Sequence, residues 1–193
     1  MIRRLVALLV ALCVAGCVGG GSRIEAIYTL EAPAQPAVAG ATSAQILVPE
    51  PRAVAALNSE RIAVRPSALT LQYYPNVAYQ DTAPKVLQFV LLDTFQNTGR
   101  VQAVGLPGQS LLINYQLVTD VRAFQAETFG GSRARIEVAA KLLNDSTGRV
   151  VGTRVFSTVV PIRGDGADAA AAGLNTAIQT LASEIVAWTL TLI

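Results

Sequence analysis

Histidine is absent from this 193-residue sequence, and cysteine occurs only twice. The missing histidine removes the commonest general base and the commonest metal-ligating side chain. The two lysines, Lys85 and Lys141, give a serine or threonine nucleophile little choice of activating base. No glycine-rich loop suited to phosphate is present. Gly19-Gly20-Gly21 reads as a tether and Gly130-Gly131 as a hairpin turn. Asp165 and Asp168 stand together at an expected helix start, where carboxylates cap, and they lack the further oxygen ligands that a cation loop needs. The expectation is a protein that is not an enzyme, with no catalytic residue, no cofactor and no metal site.

The charges exclude another class. The net charge is +2, from 15 basic and 13 acidic side chains. Two of the basic ones, Arg3 and Arg4, lie in the first few residues, so the remainder balances. A neutral chain carries no electrostatic footprint for nucleic acid.

What the sequence does have begins at its first residues. Arg3 and Arg4 precede the apolar run Leu5 to Val14, and Val14-Ala15-Gly16-Cys17 follows. A basic patch, an apolar stretch and small residues form a secretory signal. The stretch is short for a membrane span, which takes about 20 residues. Small residues leading directly to Cys17 form a bacterial lipobox. The expectation is therefore a signal peptide over 1–16, lipidation at Cys17, a tether over 17–23 and one periplasmic domain over 24–193. Cys13 leaves with the signal and Cys17 is acylated, so no disulfide is available in an oxidising compartment. Removing residues 1–16 leaves 177, enough for one domain with a sizeable core. Val18 after the cysteine is not a retention signal. The expected location is the cell outer membrane, lipid-anchored, on its periplasmic face.

The remainder alternates between strand and helix patterns. Ile24 to Leu30, Gln45 to Val48, Arg61 to Arg65 and Leu69 to Tyr73 read as short strands. Glu31 to Ser43, rich in alanine and proline, reads as a loop. Pro49-Glu50-Pro51 ends the second strand. Asp81-Thr82-Ala83-Pro84 opens a helix whose face is Leu87, Val90, Leu91 and Phe95, and Gly99 closes it. Leu111 to Phe124, Arg133 to Leu143 and Arg149 to Pro161 form three long strands joined by short turns, an antiparallel meander. Asp165 caps a second helix with Leu174, Ile178, Leu181, Ile185, Trp188 and Leu192 as its apolar stripe. The fold class expected is α+β: an antiparallel sheet with the Thr82–Asn97 and Asp168–Leu192 helices packed on one face, and Trp188 buried.

At this point the residues resemble a family. A lipobox followed by Tyr28-Thr29-Leu30 resembles the opening of the ABC-type transport auxiliary lipoproteins, those encoded with paraquat-inducible and mammalian-cell-entry systems. Leu57 to Arg65 is similar to the family's Leu-x-x-x-Arg-Ile-x-Val-Arg segment. Tyr79-Gln80-Asp81-Thr82-Ala83-Pro84 falls where the family has Trp-x-Asp-x-x-Pro, with Tyr79 in the tryptophan's place. Ile185-Val186-Ala187-Trp188 resembles the family's C-terminal helix. The resemblance implies a non-catalytic component of an ABC-type intermembrane phospholipid transport system. It would act at the outer membrane by contacting a periplasmic mammalian-cell-entry-type lipid-binding subunit, as a monomer or a homo-oligomer. The alternative is a structural or assembly lipoprotein for an outer-membrane protein. A third reading, a lipid carrier with its own cavity, requires an apolar space that the core leaves unfilled. Tyr73, Tyr74 and Tyr79 either line an exposed contact surface or pack the start of the first helix.

Overall fold

The computed structural model describes residues 23–109 and 112–193. The expected signal, Cys17, the glycines of the tether and Leu111 lie outside the described residues. The elements are β1 (Ala26–Tyr28), β2 (Thr42–Leu47), β3 (Arg52–Ala53), β4 (Ala63–Arg65), β5 (Gln72–Tyr73), β6 (Val77–Tyr79), α1 (Ala83–Thr98), β7 (Val101–Gly105), β8 (Tyr115–Glu127), β9 (Arg133–Asn144), β10 (Val150–Pro161) and α2 (Gly166–Thr191).

The expected meander is present. β8, β9 and β10 pair antiparallel along nearly their whole lengths, and a bulge at Arg122 shifts the β8–β9 register. Gly130 and Gly131 turn the first hairpin with φ of 66° and 103°, values that a side chain would resist.

The sheet as a whole is mixed, which corrects the purely antiparallel expectation. β2, β3 and β4 lie in series along the free side of β8, all parallel to it. The chain from Thr42 to Arg65 passes that edge once, in one direction. Pro49 and Pro51 break the passage, because proline has no N–H to give a ladder. β7 then joins β2 in parallel. A parallel neighbour needs a crossover, and α1 lies within the segment that supplies it. β5 folds back on β4, while β1 and β6 form a separate parallel pair. β3, β6 and β7 were not expected from the sequence; β3 has only two residues, and Val101-Gln102-Ala103-Val104-Gly105 of β7 offers little apolar bulk to alternate.

α1 begins after Thr82, with proline in its first turn and Asp81 accepting the Thr82 N–H at 2.7 Å. It ends on Gly99 in the left-handed conformation, whose N–H reaches the Gln96 carbonyl. α2 starts differently from expectation. Asp165 is extended at the cap position, but its side chain makes no cap hydrogen bond. Asp168 accepts instead from the Tyr28 hydroxyl, at 2.5 Å.

One core joins the layers. Leu117 and Phe124 of β8, Ile136, Val138 and Leu142 of β9, and Phe156 of β10 face Leu174, Ile178, Leu181 and Ile185 of α2 and Leu87, Leu91 and Phe95 of α1. Trp188 departs from expectation by being only half-buried. It sits at the far end of α2, edge-on to Phe156 at 5.5 Å and over Gly152. Both of these contacts lie on its sheet side, and among the described residues its outer side stays partly exposed.

Candidate functional site

The residues singled out by the sequence resolve into structural roles. Tyr28 ties β1 to the first turn of α2 through Asp168, and this hydrogen bond raises the phenol's pKa, with burial and the carboxylate's charge adding to it. Just downstream, the Glu31 N–H donates to Asn175 and the Asn97 amide to the Pro33 carbonyl, fastening the segment to both helices. In the Leu57–Arg65 stretch, Leu57 and Ile62 are buried. Arg61 lies 4.2 Å over the Tyr73 ring, and the Tyr73 hydroxyl donates to the Ala56 carbonyl. Tyr79 is buried edge-on to Phe124 at 5.6 Å, and desolvation pushes its pKa up. Tyr74 is half-buried, with burial and the nearby Asp165 raising its phenol. Of the three tyrosines, Tyr79 belongs to the core and the other two to its rim. Among the described residues no three acidic side chains gather as ligands. Nor is any helix there long and apolar enough to cross a membrane.

A second class of candidate is concave. A pocket of about 290 Å³ lies at Thr42, Asn114, Tyr115, Asn144 and Ile193. Its polar groups are used locally. The Asn144 amide oxygen accepts from Ser146, from the Thr147 N–H and from the Thr147 hydroxyl, and Asn114 bonds Gln45 through both side chain and backbone. Satisfied groups of this kind have little left for a ligand.

The feature with unused capacity is β10, which sequence periodicity marked only as a strand. It is paired on one side, to β9, and forms the outer edge of the sheet. The Ile162 N–H bonds the Ser132 carbonyl at 2.9 Å. Antiparallel ladders alternate bonded and unbonded pairs. In the register that places Pro161 opposite Arg133, Arg154, Phe156, Thr158 and Val160 therefore bond β9. Thr153, Val155, Ser157 and Val159 turn their N–H and C=O groups outward, while a bulge at Val151 shifts the register. Pro161 falls on the outward set, where its missing N–H is harmless.

The same four residues put their side chains on the sheet's open face. Val155 and Val159 are 46% and 50% exposed there. Beside the strand's end, a groove of about 380 Å³ is lined by Val160, Pro161, Arg163, Ala169, Ala172 and Thr176. The hydroxyls of Thr176, Thr180 and Ser183 bond carbonyls one turn back, so this flank of α2 is smooth and makes few outward demands. An unpaired backbone edge with apolar side chains is a template for another chain. The sequence signal that could have found it is the alternation Val155, Ser157, Val159 ending at Pro161.

Comparison with known proteins follows from the whole chain. The family model described as ABC-type transport auxiliary lipoprotein component matches residues 28–186. A crystal structure of a Xanthomonas campestris protein is 33% identical, superposes with a TM-score of 0.80, and is covered over 94% of its length by 86% of this chain. A protein of Bradyrhizobium diazoefficiens is 31% identical over 173 residues, which is 89% of this chain. The chain spans about half of that relative's length, 47%. A PelC dodecamer from Paraburkholderia phytofirmans shares the fold at a TM-score of 0.50 and 14% identity, with 78% of this chain and 93% of PelC aligned.

Proposed function

The chain belongs to the ABC-type transport auxiliary lipoprotein component family, and on that premise we propose that it is a non-catalytic, lipid-anchored adaptor of an ABC-type intermembrane phospholipid transport system. Cys17 carries the anchor, the domain stands on the periplasmic face of the outer membrane, and its partner is a mammalian-cell-entry-type lipid-binding subunit. The adaptor works by contact, with a second copy of itself as a further occupant of its surfaces. The observation that supports this reading is the outward edge of β10, with its backbone groups and Val155 and Val159 available.

The test is a pull-down of the detergent-solubilised lipoprotein from its own host, read by mass spectrometry. Recovery of a mammalian-cell-entry protein is the expected outcome. Recovery of an outer-membrane barrel alone would replace this reading with the assembly-factor alternative. The anchor is checked separately. Cys17→Ser should abolish metabolic labelling with a fatty acid, and a serine variant that still labels would refute the lipobox. Density-gradient separation of inner and outer membranes tests the location.

A further inference from the structure

The free stretch of β10 has two definite ends. It begins after the bulge at Val151 and stops at Pro161. Thr153, Val155, Ser157 and Val159 are all exposed along it, and none is charged. The midpoint from Thr153 to Pro161 is Ser157. A two-fold axis there sets Ser157 opposite Ser157 of a second copy, Val155 opposite its Val159 and Thr153 opposite its Pro161. On the face toward α2, Arg154 falls opposite Val160 and Phe156 opposite Thr158. Valine meets valine, and no like charges stand opposite one another. The only bonds lost are at the two ends, where proline has no N–H.

α2 selects what kind of partner fits this edge. It packs on β9 and on β10 to a like extent, so its axis runs between the two strands. Its flank on the β10 side carries Ala169, Ala172 and Thr176, which line the groove with Val160, and continues through Thr180. The Thr176 and Thr180 hydroxyls donate to the carbonyls of Ala172 and Thr176. This flank is a row of short side chains whose hydroxyls are already bonded. A single added strand would cover the ladder and leave the row bare. A second copy covers both. Neighbouring strands lie about 4.8 Å apart, so the two-fold axis brings the two α2 helices to roughly 10 Å, the distance at which helices pack. Charge permits the approach. Glu184 is exposed one turn before Trp188, which rests on Phe156, and Arg154 is exposed on the same face of the edge. Each copy thus brings one charge of either sign toward the axis.

We propose that β10 is the seam of a two-fold homodimer, in which the sheet runs on across the axis and the two α2 helices pack antiparallel above it. A two-fold interface must be complementary to itself. This edge meets that condition in its uncharged ladder, its valine pairs and its helix flank. The proposal rests on the reading of the β10 edge as a contact surface and names a second copy as what meets it.

The experiment uses the full lipoprotein in detergent. On the proposed anchor, maturation removes Cys13 and acylates Cys17, so an introduced cysteine is the sole free thiol. Cα atoms opposite one another in a bonded antiparallel pair lie about 5.5 Å apart, within reach of a disulfide. Ser157→Cys should therefore join two chains under mild oxidation. Val155→Cys alone should not, because its counterpart lies four residues along the seam, about 13 Å away. Val155→Cys combined with Val159→Cys should join them again. Sedimentation of the unmodified lipoprotein should give a dimer. Ser157→Lys, which sets two ammonium groups face to face, should raise its dissociation constant about tenfold or more. Joining at 155 alone and not at 157 overturns this pairing. A monomer, or a larger ring, that joins at neither position overturns the two-fold seam. A dimer whose pull-down holds no mammalian-cell-entry protein keeps the seam and overturns the transport reading, and a monomer that recovers that protein does the reverse.

Discussion

Glu127 is the residue with most at stake in this fold. Its side chain is 1% exposed, accepts from Arg133 Nε at 2.7 Å and from the Gln125 amide at 3.2 Å. Burial pushes its carboxyl up. The hydrogen bonds from Arg133 and Gln125 and the charges of Arg133 and Arg135 outweigh burial and hold it below the ordinary range. A depressed carboxyl contributes stability above its unfolded pKa, about 4.3, and loses it as pH falls through the folded value. Denaturation midpoints should therefore drop below about pH 4, and Glu127→Gln should flatten that drop. Arg133→Met at neutral pH leaves the buried carboxylate with only the Gln125 amide and the charge of Arg135, and should cost about 3 kcal/mol. Its loss of stability in acid should be smaller than in the parent, because the ion pair that favoured the charged form is gone. Urea titrations at pH 7 and pH 4 measure both effects. The sequence showed these two residues flanking a Gly-Gly turn. It did not show that one of them is buried, because that depends on what lies over the hairpin.

At the scale of elements, two glycines set how closely α2 approaches the sheet. A Cβ on Gly173 would stand 2.9 Å from Ile162 Cγ1 and 3.3 Å from Ala134 Cβ. Both atoms are close to backbone and cannot swing away. Gly173→Ala gains about 1 kcal/mol of helix propensity, but overpacking costs about 1–3 kcal/mol, so the variant should be less stable, and Gly173→Val clearly so. Gly152 differs. Its Cβ would meet Leu192 Cδ1 at 2.8 Å, the far end of a side chain at the C-terminal cap of α2, and Trp188 Cζ2 at 3.1 Å. Gly152→Ala should cost less than Gly173→Ala, since the leucine tip can turn aside and the half-buried indole need give only a few tenths of an ångström. Thermal unfolding of the three variants checks the order, and a Gly173→Ala protein more stable than wild type would refute the close-packing argument. The apolar stripe of α2 was legible from its spacing. The use of Gly173 as a contact surface appears only when the sheet is in place.

For the whole molecule, the unprotected β10 edge carries the prediction. Natural edges are blunted by charge, bulges or proline. Here Arg154 is drawn 4.8 Å over the Phe156 ring and Pro161 guards one end, while the centre stays open. Val155→Lys places a charge at mid-strand on the exposed face. Stability should change by no more than about 0.5 kcal/mol, as for a surface substitution. Partner recovery in the pull-down, and any self-association seen by analytical ultracentrifugation, should fall sharply. A Val155→Lys lipoprotein that retains every partner would move the contact surface elsewhere.

By itself the sequence determined both long helices, the β8–β9–β10 meander and the family. Each of these is local: a short motif in fixed order, a 3.6-residue stripe, a two-residue alternation, a pair of glycines at a turn. Even the family resemblance is a series of such motifs, and its residues prove to be packing residues, with Leu57, Ile62 and Tyr79 buried. Only the tertiary structure decided the direction of β2, β3 and β4 along β8, the mixed character of the sheet, the half-exposure of Trp188 and the open edge of β10. Strand direction depends on where a crossover lands, and exposure depends on what covers a face. Both are set by contacts between residues far apart in the chain, to which a periodic pattern is blind.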